Sequence, residues 1–275
     1  MSEGLGRFEQ QVMREIGALQ RRVEELELER PRLDEEAWRI AVSATLMLPG
    51  LRGLWTMGVF EGGANAIDLS GNGRTLTYNG NPKYRYDDLV PYLDFDGTGD
   101  YLARADEAGL DILGTESYVH STVRGLSIGG LFYFDRATTL EYLICKWAGV
   151  GQQSYRLIKS AADAIVFRVQ DPAGTDWTQG STDTVATGEW YHAVGVFDPN
   201  TAVRIYLNNV KGENVAGAVA SIRNSNADLR IGADGSAGNL LDGRASLCFL
   251  CAAMLSDDHV AAHFEQVRAA YGILE

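Results

Sequence analysis

The stretch from Thr187 to Asn209 constrains the fold of this chain more than any other. Its second half alternates the apolar residues Val203, Ile205 and Leu207 with more polar neighbours, which is the period of two expected of a strand with one buried face. Before them, residues 198–201 read Asp-Pro-Asn-Thr. This sequence favours a tight turn, because proline fixes φ and Asp or Asn side chains bond to nearby backbone. The stretch therefore predicts two antiparallel strands joined by a turn.

Short apolar or alternating segments of this kind recur along the chain, and turns rich in glycine and aspartate separate many of them. The predicted strands cover residues 53–60, 74–79, 91–95, 100–104, 125–135, 140–147, 154–159, 163–169, 189–198, 202–208, 228–232 and 243–254. Strands at this spacing predict an all-β sandwich or barrel. The 31 glycines and the 45% of hydrophobic residues agree with a domain that has many turns and a sizeable core.

Several motifs occur in the order seen in laminin G-like, or concanavalin A-like, jelly rolls. Asp68-Leu-Ser-Gly-Asn-Gly73 is similar to the family's DSSGNG, and Leu93-Asp-Phe-Asp-Gly-Thr-Gly-Asp-Tyr-Leu102 to LRFDGSGDYV. The hairpin described above resembles TGEWHHVAVTFDG…LRLYVNG, and Leu241-Asp-Gly-Arg244 resembles the start of FDGRIDEVRIY. The resemblance covers residues 51–270. It implies a two-sheet jelly-roll sandwich that serves as a recognition or structural module.

The segment before the β region predicts an amphipathic helix that ends at Pro31. Its apolar residues form a narrow stripe with charged residues on both sides: Leu5, Phe8, Val12, Ile16, Leu19, Val23 and Leu26. Such a stripe favours a parallel coiled coil. Its residue types lean towards a homodimer, but the run is too short to decide, and our expectation is a homotrimer with a homodimer as the alternative. A helix folded back on the β domain is the other interpretation. Residues 1–31 are thus a predicted oligomerisation or docking helix, 32–50 a connector that forms a second helix or a first strand, and 51–275 the jelly roll.

A short terminal helix is predicted at residues 256–272, with Ser256 as its N-cap and Gly272 as its stop. His259 and His263 lie four residues apart on it, as zinc-binding pairs do. The metalloprotease pattern needs Glu at the position of Val260, so we interpret the pair as part of a solvated helix face.

Three cysteines raise the question of a disulfide or a zinc site. Cys248 and Cys251 have C-x-x-C spacing but lie in an apolar, strand-like run, where residues three apart point to opposite faces. We therefore expect these two and Cys145 to be buried free thiols.

The composition and the termini limit the function. The net charge of −13 disfavours nucleic-acid or anionic-membrane binding, which needs clustered Lys and Arg. No apolar run approaches the roughly 20 residues that span a bilayer. The start of the chain lacks the basic and apolar regions of a secretory signal, so we expect synthesis without a signal peptide. Glycosidases on the resembled scaffold carry an E-x-D-x-x-E run, and its absence here implies that the protein is not an enzyme.

Two ligand sites are predicted. Oxygen ligands for calcium would come from Asp68, Asn72, Asp96 and Asp100, although the same residues could serve only as Asx turns. The family's acidic pair after Arg244 is missing, which weighs against a metal, and no other cofactor is expected. Aromatic rings for a sugar platform would come from Tyr78, Tyr84, Tyr86, Trp147 and Trp177, with hydrophobic packing as the alternative.

A predicted coiled coil followed by a lectin-like jelly roll resembles the architecture of phage virion surface proteins. These include capsid decoration proteins and head or tail fibres. The resemblance implies a non-enzymatic structural protein on the virion surface, with a capsid or tail protein and a host glycan as expected partners. The alternative is a bacterial carbohydrate-binding module or cell-surface adhesin.

Overall fold

The computed structural model describes residues 36–57, 65–87, 90–115, 124–214 and 219–273. The predicted N-terminal helix at residues 1–31 lies outside these ranges. The described residues form the strands β1 (Leu51–Trp55), β2 (Asn65–Ala66), β3 (Leu76–Asn79), β4 (Lys83–Asp87), β5 (Val90–Asp96), β6 (Tyr101–Arg104), β7 (Leu126–Phe134), β8 (Glu141–Trp147), β9 (Gln153–Lys159), β10 (Ala164–Gln170), β11 (Asp176–Thr184), β12 (Trp190–Asp198), β13 (Ala202–Leu207), β14 (Val210–Asn214), β15 (Leu229–Ile231) and β16 (Asp242–Cys251). Two helices flank them, α1 at residues 36–46 and α2 at Asp257–Tyr271. No helix in the described ranges is long and apolar enough to cross a membrane.

The strands form two antiparallel sheets that pack face to face. Sheet A has the order β14-β13-β12-β7-β16-β5-β4, with β1 also paired to β16. Sheet B has the order β11-β10-β9-β8-β15-β6-β3-β2. Neighbours such as β7 and β16 are far apart in sequence, as the crossover connections of a jelly roll require. The predicted all-β, concanavalin A-like sandwich with a short C-terminal helix is confirmed.

The hairpin that dominates the sequence pattern is β12-β13, and its alternation builds the core. Phe197 pairs with Val203 in register, and both side chains are buried between the sheets. Gly195 leaves space for a ring of sheet B, because a Cβ there would lie 2.3 Å from Phe167. In the predicted turn, Asn200 has a φ of +59°. The hairpin therefore fixes both a strand pair and the close approach of the two sheets.

A helical layer covers the outer face of sheet A, so this sheet is buried on both sides. In the connector, for which the sequence allowed a second helix or a first strand, the structure has the helix α1. The predicted caps of α2 are confirmed. Ser256 accepts a hydrogen bond from the backbone N–H of His259, and Gly272 adopts a φ of +62°. In β16, Cys248 faces the core between the sheets and Cys251 faces the helices; both thiols are free and buried. The residues of β16 after Arg244 are buried, so a pair of acidic side chains there would need buried partners.

The prediction that His263 lies on a solvated helix face is wrong. Its side chain is 3% exposed and lies between α2, α1 and sheet A. Its Nε2 lies 2.9 Å from the Thr45 hydroxyl and its Nδ1 lies 3.0 Å from Nε2 of His192, whose side chain is fully buried. His259 does remain exposed. Residues of α1 and β12 bury His263. The periodicity of α2 alone does not reveal that these elements pack against it.

The hydrogen bonds of this pair determine the tautomers. Because the Thr45 hydroxyl donates to the carbonyl of Ala41 at 2.8 Å, Nε2 of His263 must donate to Thr45. Nδ1 of His263 then accepts from Nε2–H of His192. Both rings are neutral in this arrangement. Burial lowers the pKa of His263 to about 4, and burial together with His263 lowers the pKa of His192 well below its usual value.

The pair makes the fold sensitive to acid. Between pH 6.5 and about 4 the unfolded chain binds a proton at His263 and the folded chain does not, so stability is full above this window and falls within it. For His263 alone, the free energy of unfolding falls by about 3 kcal/mol across this window. We expect the melting temperature to drop steeply over this range. His263→Gln, which keeps hydrogen-bonding groups but does not titrate, should flatten the dependence.

His259→Gln is the matched control on the same helix, because Gln preserves the capping box at Ser256. An equally steep profile in both variants would show that His263 does not cause the acid response.

Candidate functional site

A groove opens beside the carboxyl end of α2, where the helical layer stops short of the start of β12. It consists of two clefts that share Asn208, and we call them together the Asn208 groove. The larger cleft, of about 610 Å³, is lined by Gly188, Glu189, Trp190, Asn208, Tyr271, Gly272 and Ile273. The smaller one, of about 460 Å³, is lined by Asp183, Thr184, Tyr191, Leu207, Asn208, Asn209, Val210, Phe264 and Glu265.

Asn208 occupies a tight turn that holds its side chain in place. Asn208 and Asn209 form the two-residue connection of β13 to β14, with φ values of +47° and +68°. Asparagine tolerates this left-handed conformation better than most residues, and two such residues match the twist of a hairpin. The Asn208 Oδ1 accepts a hydrogen bond from the His192 backbone N–H at 2.9 Å. The turn and this bond fix the centre of the groove against the start of β12.

Trp190 forms one wall of the larger cleft and is held by three tyrosines. Its ring makes edge-on contacts with Tyr92, Tyr133 and Tyr271 at centroid distances of 5.8, 5.7 and 5.1 Å. The Arg244 guanidinium lies 4.3 Å from the ring centroid of Tyr133 and 4.8 Å from that of Tyr92. We call these five residues the Trp190 cluster. Because Trp190 itself stays partly exposed, the cluster presents a rigid indole at the groove.

The strand register extends the cluster into a row across sheet A. Trp190 pairs with Tyr133, Tyr133 with Arg244, Arg244 with Asp94, and Asp94 with Lys83. The row therefore runs through β12, β7, β16, β5 and β4, beyond the part of the sheet that α2 covers. The row has two aromatic side chains at one end and three charged side chains at the other, which suits a ligand with both apolar and hydroxyl-bearing faces.

The groove carries acidic side chains. Asp183, Glu189 and Glu265 line it, and no Lys or Arg is among the described residues that do so. The Glu189 carboxylate lies 3.1 Å from the hydroxyl of Tyr191, which also accepts a hydrogen bond from the backbone N–H of Ala186. These contacts order the loop before β12. The local charge favours neutral or cationic ligands over anionic ones.

The predicted aromatic platform is not assembled as one surface. Tyr84 and Tyr86 lie together on β4, the edge strand of sheet A, and are 42% and 55% exposed. Tyr78 on β3 and Trp177 on β11 belong to sheet B and pack against the core between the sheets. Tyr84 and Tyr86 are thus the most exposed members of the predicted set, while Tyr78 and Trp177 are partly exposed, so their role in sugar binding stays a prediction.

Trp147 lies at the end of β8 on the outer face of sheet B, where it is 5% exposed. The Arg156 guanidinium lies 4.3 Å from the ring centroid of Trp147 and donates a hydrogen bond to the hydroxyl of Tyr142. Arg156 therefore covers a ring that the sequence suggested for sugar stacking. In this structure Trp147 belongs to a packed arginine-aromatic cluster.

Asp68 and Asn72, two of the predicted calcium ligands, are held by hydrogen bonds within their own part of the chain. Asp68 Oδ1 accepts hydrogen bonds from the backbone N–H of Leu54 at 3.0 Å and of Ser70 at 2.8 Å, and Oδ2 accepts one from Arg74 at 2.8 Å. The Asn72 amide donates to the Ser70 hydroxyl at 3.0 Å. This loop is organised as a set of side-chain-capped turns.

Asp96 and Asp100, the other two predicted calcium ligands, also accept hydrogen bonds from nearby backbone. Asp96 accepts from the backbone N–H groups of Thr98 and Gly99, and Asp100 accepts from those of Asn81 and Asp96. Nowhere in the described part of the chain do three or more His, Cys, Asp or Glu side chains lie together so as to hold a metal ion. Calcium binding at these loops stays a prediction, without a cluster of side-chain ligands to support it.

Glu141, at the start of β8, is the most deeply buried carboxylate among the described residues, and its oxygens form ion pairs. Its oxygens contact Lys159 Nζ at 3.1 Å and Arg136 Nη2 at 3.0 Å, and Glu141 and Lys159 are both fully buried. Burial raises the pKa of Glu141, while the backbone N–H of Asp242 and the two cations oppose that shift. The arrangement fastens the β7-β8 turn and does not present a carboxylate to a cleft.

Comparisons with known proteins identify relatives by sequence and by fold. The model of a family described as the concanavalin A-like lectin/glucanases superfamily matches residues 121–261, about half of the chain. A search of curated protein sequences finds no significant match.

Solved structures with a similar fold include toxin binding domains. The binding domain of Paraclostridial mosquitocidal protein 1 has a TM-score of 0.62 and 12% identity, over 78% of this chain and 52% of that one. The receptor binding domain of botulinum neurotoxin C/D mosaic serotype gives 0.61 and 10%, over 78% and 51%. A serotype D domain in complex with N-acetylneuraminic acid gives 0.61 and 10%, over 82% and 52%. This chain thus spans about half the length of these structures, and the likeness shows the fold.

The left-handed turn at the groove makes a testable prediction. Asn208→Ala loses the bond to His192 and must also place an alanine at a φ of +47°, whereas Asn208→Gly loses only the bond. We expect the alanine variant to be about 1 kcal/mol less stable than the glycine variant in urea denaturation. Equal stabilities would show that the backbone conformation of this turn is not under steric constraint.

Proposed function

Since this chain belongs to the concanavalin A-like lectin/glucanase superfamily, we propose that it is a non-enzymatic glycan-recognition protein that binds a neutral sugar in the Asn208 groove. The observation that carries the proposal is the partly exposed Trp190 ring at a cleft of about 610 Å³. Volumes of roughly 300–1,000 Å³ are typical of small-ligand sites.

The Trp190 cluster supplies a suitable stacking surface. The exposed part of the indole offers apolar contact to the C–H face of a pyranose, while T-shaped contacts with Tyr92, Tyr133 and Tyr271 hold the ring in place. Because the ring is already locked, binding costs little side-chain entropy. Glu189 and Asn208 lie beside Trp190 in the same cleft and offer hydrogen-bonding groups for sugar hydroxyls.

The acidity of the groove supports a neutral ligand. Three carboxylates line it, and the whole chain carries a net charge of −13, so an anionic sugar would meet repulsion. The N-acetylneuraminic acid in the similar toxin domain belongs to that protein, and the likeness covers about half of that chain. We therefore expect this protein to prefer uncharged hexoses or N-acetylhexosamines.

We further propose that the protein displays this domain in several copies. A single shallow groove binds sugars weakly, and linking several copies raises avidity without any new contact. The apolar stripe from Leu5 to Leu26 is the sequence feature that supports self-association, as a homotrimer or a homodimer. An oligomeric stalk with a lectin-like domain suits a phage virion surface protein, either a capsid decoration protein or a head or tail fibre. A bacterial carbohydrate-binding module or adhesin is the alternative.

The glycan proposal is tested on an array of neutral and sialylated glycans, followed by calorimetry with the best ligand. We expect binding to neutral glycans, and Trp190→Ala should weaken it by at least about tenfold through loss of the stacking surface. Glu189→Gln, an exposed and conservative change, should also reduce affinity with little effect on the melting temperature.

Tyr84→Ala with Tyr86→Ala is the matched control, since it removes two exposed rings at the far edge of sheet A. Loss of binding in this variant but not in Trp190→Ala would move the site to β4. Selective binding of sialylated glycans would contradict the electrostatic argument, and release of reducing sugar from a bound glycan would refute the non-enzymatic assignment.

The virion proposal is tested separately by electron microscopy of particles from the native source, with antibody labelling of this chain. We expect regular labelling on capsids or tails, together with copurification of the protein with assembled particles. Labelling confined to bacterial cell surfaces would instead support the adhesin alternative.

A further inference from the structure

The Asn208 groove is built on the same elements as the buried pair of His192 and His263, which we call the histidine pair. Tyr191, which lines the groove, directly precedes His192 on β12, and Phe264, which also lines it, directly follows His263 on α2. The Oδ1 of Asn208 accepts a hydrogen bond from the His192 backbone N–H at 2.9 Å. The histidine pair therefore joins the three elements whose side chains form the groove.

The surroundings of the histidine pair are apolar. The ring of Phe249 on β16 lies 5.4 Å from that of His263, and the ring of Phe264 lies 5.6 Å from that of His192. From α1 the facing polar group is the Thr45 hydroxyl, while the charged side chains of α1 are exposed. Within the described ranges, no carboxylate, lysine or arginine bonds to either imidazole. A positive charge on the pair would therefore have no counter-charge.

Protonation would also break the hydrogen bond that joins the two rings. A proton added to Nδ1 of His263 would point at the Nε2–H of His192, 3.0 Å away, and remove the acceptor that this N–H now uses. The other free nitrogen, Nδ1 of His192, is buried and has no hydrogen-bond partner among the described residues. A proton there would be a buried N–H without an acceptor, which is costly. The contact that holds α2 to β12 thus depends on a neutral pair.

We propose that the histidine pair positions the walls of the Asn208 groove, so that the groove is closed when the pair is neutral and opens when α2 lifts on protonation. The inference rests on the proposed function, since the groove is the proposed sugar site. The helices pack on sheet A in a cluster separate from the core between the sheets, so α2 can lift without breaking the hydrogen bonds of either sheet. Acidification would then release a bound sugar.

The other titratable groups between the helices and sheet A keep their charge state between pH 7 and pH 5. Burial raises the pKa of Tyr206, Tyr271 and Cys251, so these groups stay neutral. Hydrogen bonds from Lys211 and Tyr206 lower the pKa of Asp257 at the start of α2, so this carboxylate stays ionised. The histidine pair is therefore the part of this layer whose charge responds to pH in that range.

Hydrogen exchange of the full chain, measured by mass spectrometry, tests the inference without a ligand. Lifting α2 returns His263 to water, where its pKa is about 6.5, against about 4 in the closed form. We therefore expect the protection factors of the α2 amides to fall by at least about 20-fold between pH 7 and pH 5, and those of β9 in sheet B to fall less. His263→Gln should remove this contribution, whereas His259→Gln, at an exposed position of α2, should retain it.

Equal falls in α2 and β9, or a fall that His263→Gln leaves unchanged, would overturn the inference. The carboxylates of the groove are present in both variants, so their titration cannot explain a difference between them. The comparison of α2 with β9 needs only the natural chain, and it decides the outcome if the glutamine variant does not fold.

Sugar binding provides the second readout, with galactose and N-acetylglucosamine as probes of the two expected classes. A sugar that binds only the closed groove at ten times its Kd should raise the protection factors of α2 at pH 7 by about tenfold. If a sugar binds and α2 protection does not change, the link between the pair and the groove is overturned while glycan binding stands. If no neutral sugar binds but α2 shows the expected pH dependence, the proposed function fails and the role of the pair in holding α2 stands.

Discussion

The burial of sheet A on both of its faces is the constraint on which the rest of the structure depends. Sheet B covers one face and α1 with α2 covers the other, so eight of the ten residues of the interior strand β16 are buried. A polar side chain beneath the helices must find a buried partner, and His192 finds it in His263. The same layering explains why both cysteines of the C-x-x-C run are inert core residues on opposite faces of one strand.

The candidate site lies where this double coverage ends. At the carboxyl end of α2, the helices no longer cover the outer face of sheet A completely. Trp190, which contacts Tyr271 there, is therefore partly exposed. Rigid β-strands position four of the five members of the Trp190 cluster and α2 positions Tyr271, while the turn at Asn208 closes the groove. The candidate site and the core thus use the same sheet, since Tyr92 and Tyr133, which contact Trp190, lie on strands of sheet A.

Much of the fold could be predicted, because it depends on patterns among residues that are close together in the sequence. The hairpin β12-β13, the turn at residues 198–201 and the caps of α2 follow from alternation, turn chemistry and capping residues that lie close together in the sequence. The strands β2, β4, β11 and β14 escaped prediction because they lie at sheet edges, where polar side chains are tolerated and alternation is weak. The groove escaped it because Trp190, Asn208 and Tyr271 come from three elements, each unremarkable alone.

The residue pattern by itself determined that the chain forms an all-β sandwich or barrel, that β12 and β13 pair through a tight turn, and where α2 begins and ends; the two-sheet jelly roll was implied by the family resemblance. These outcomes depend on interactions between near neighbours, together with a period of two that assigns each side chain to one face of a strand. Tertiary structure alone decided which faces are covered. It buried His263, placed Arg156 over Trp147 and left Trp190 at an opening. Periodicity separates the two faces of a strand or helix, but only the packing of distant elements determines whether water or protein lies against each face.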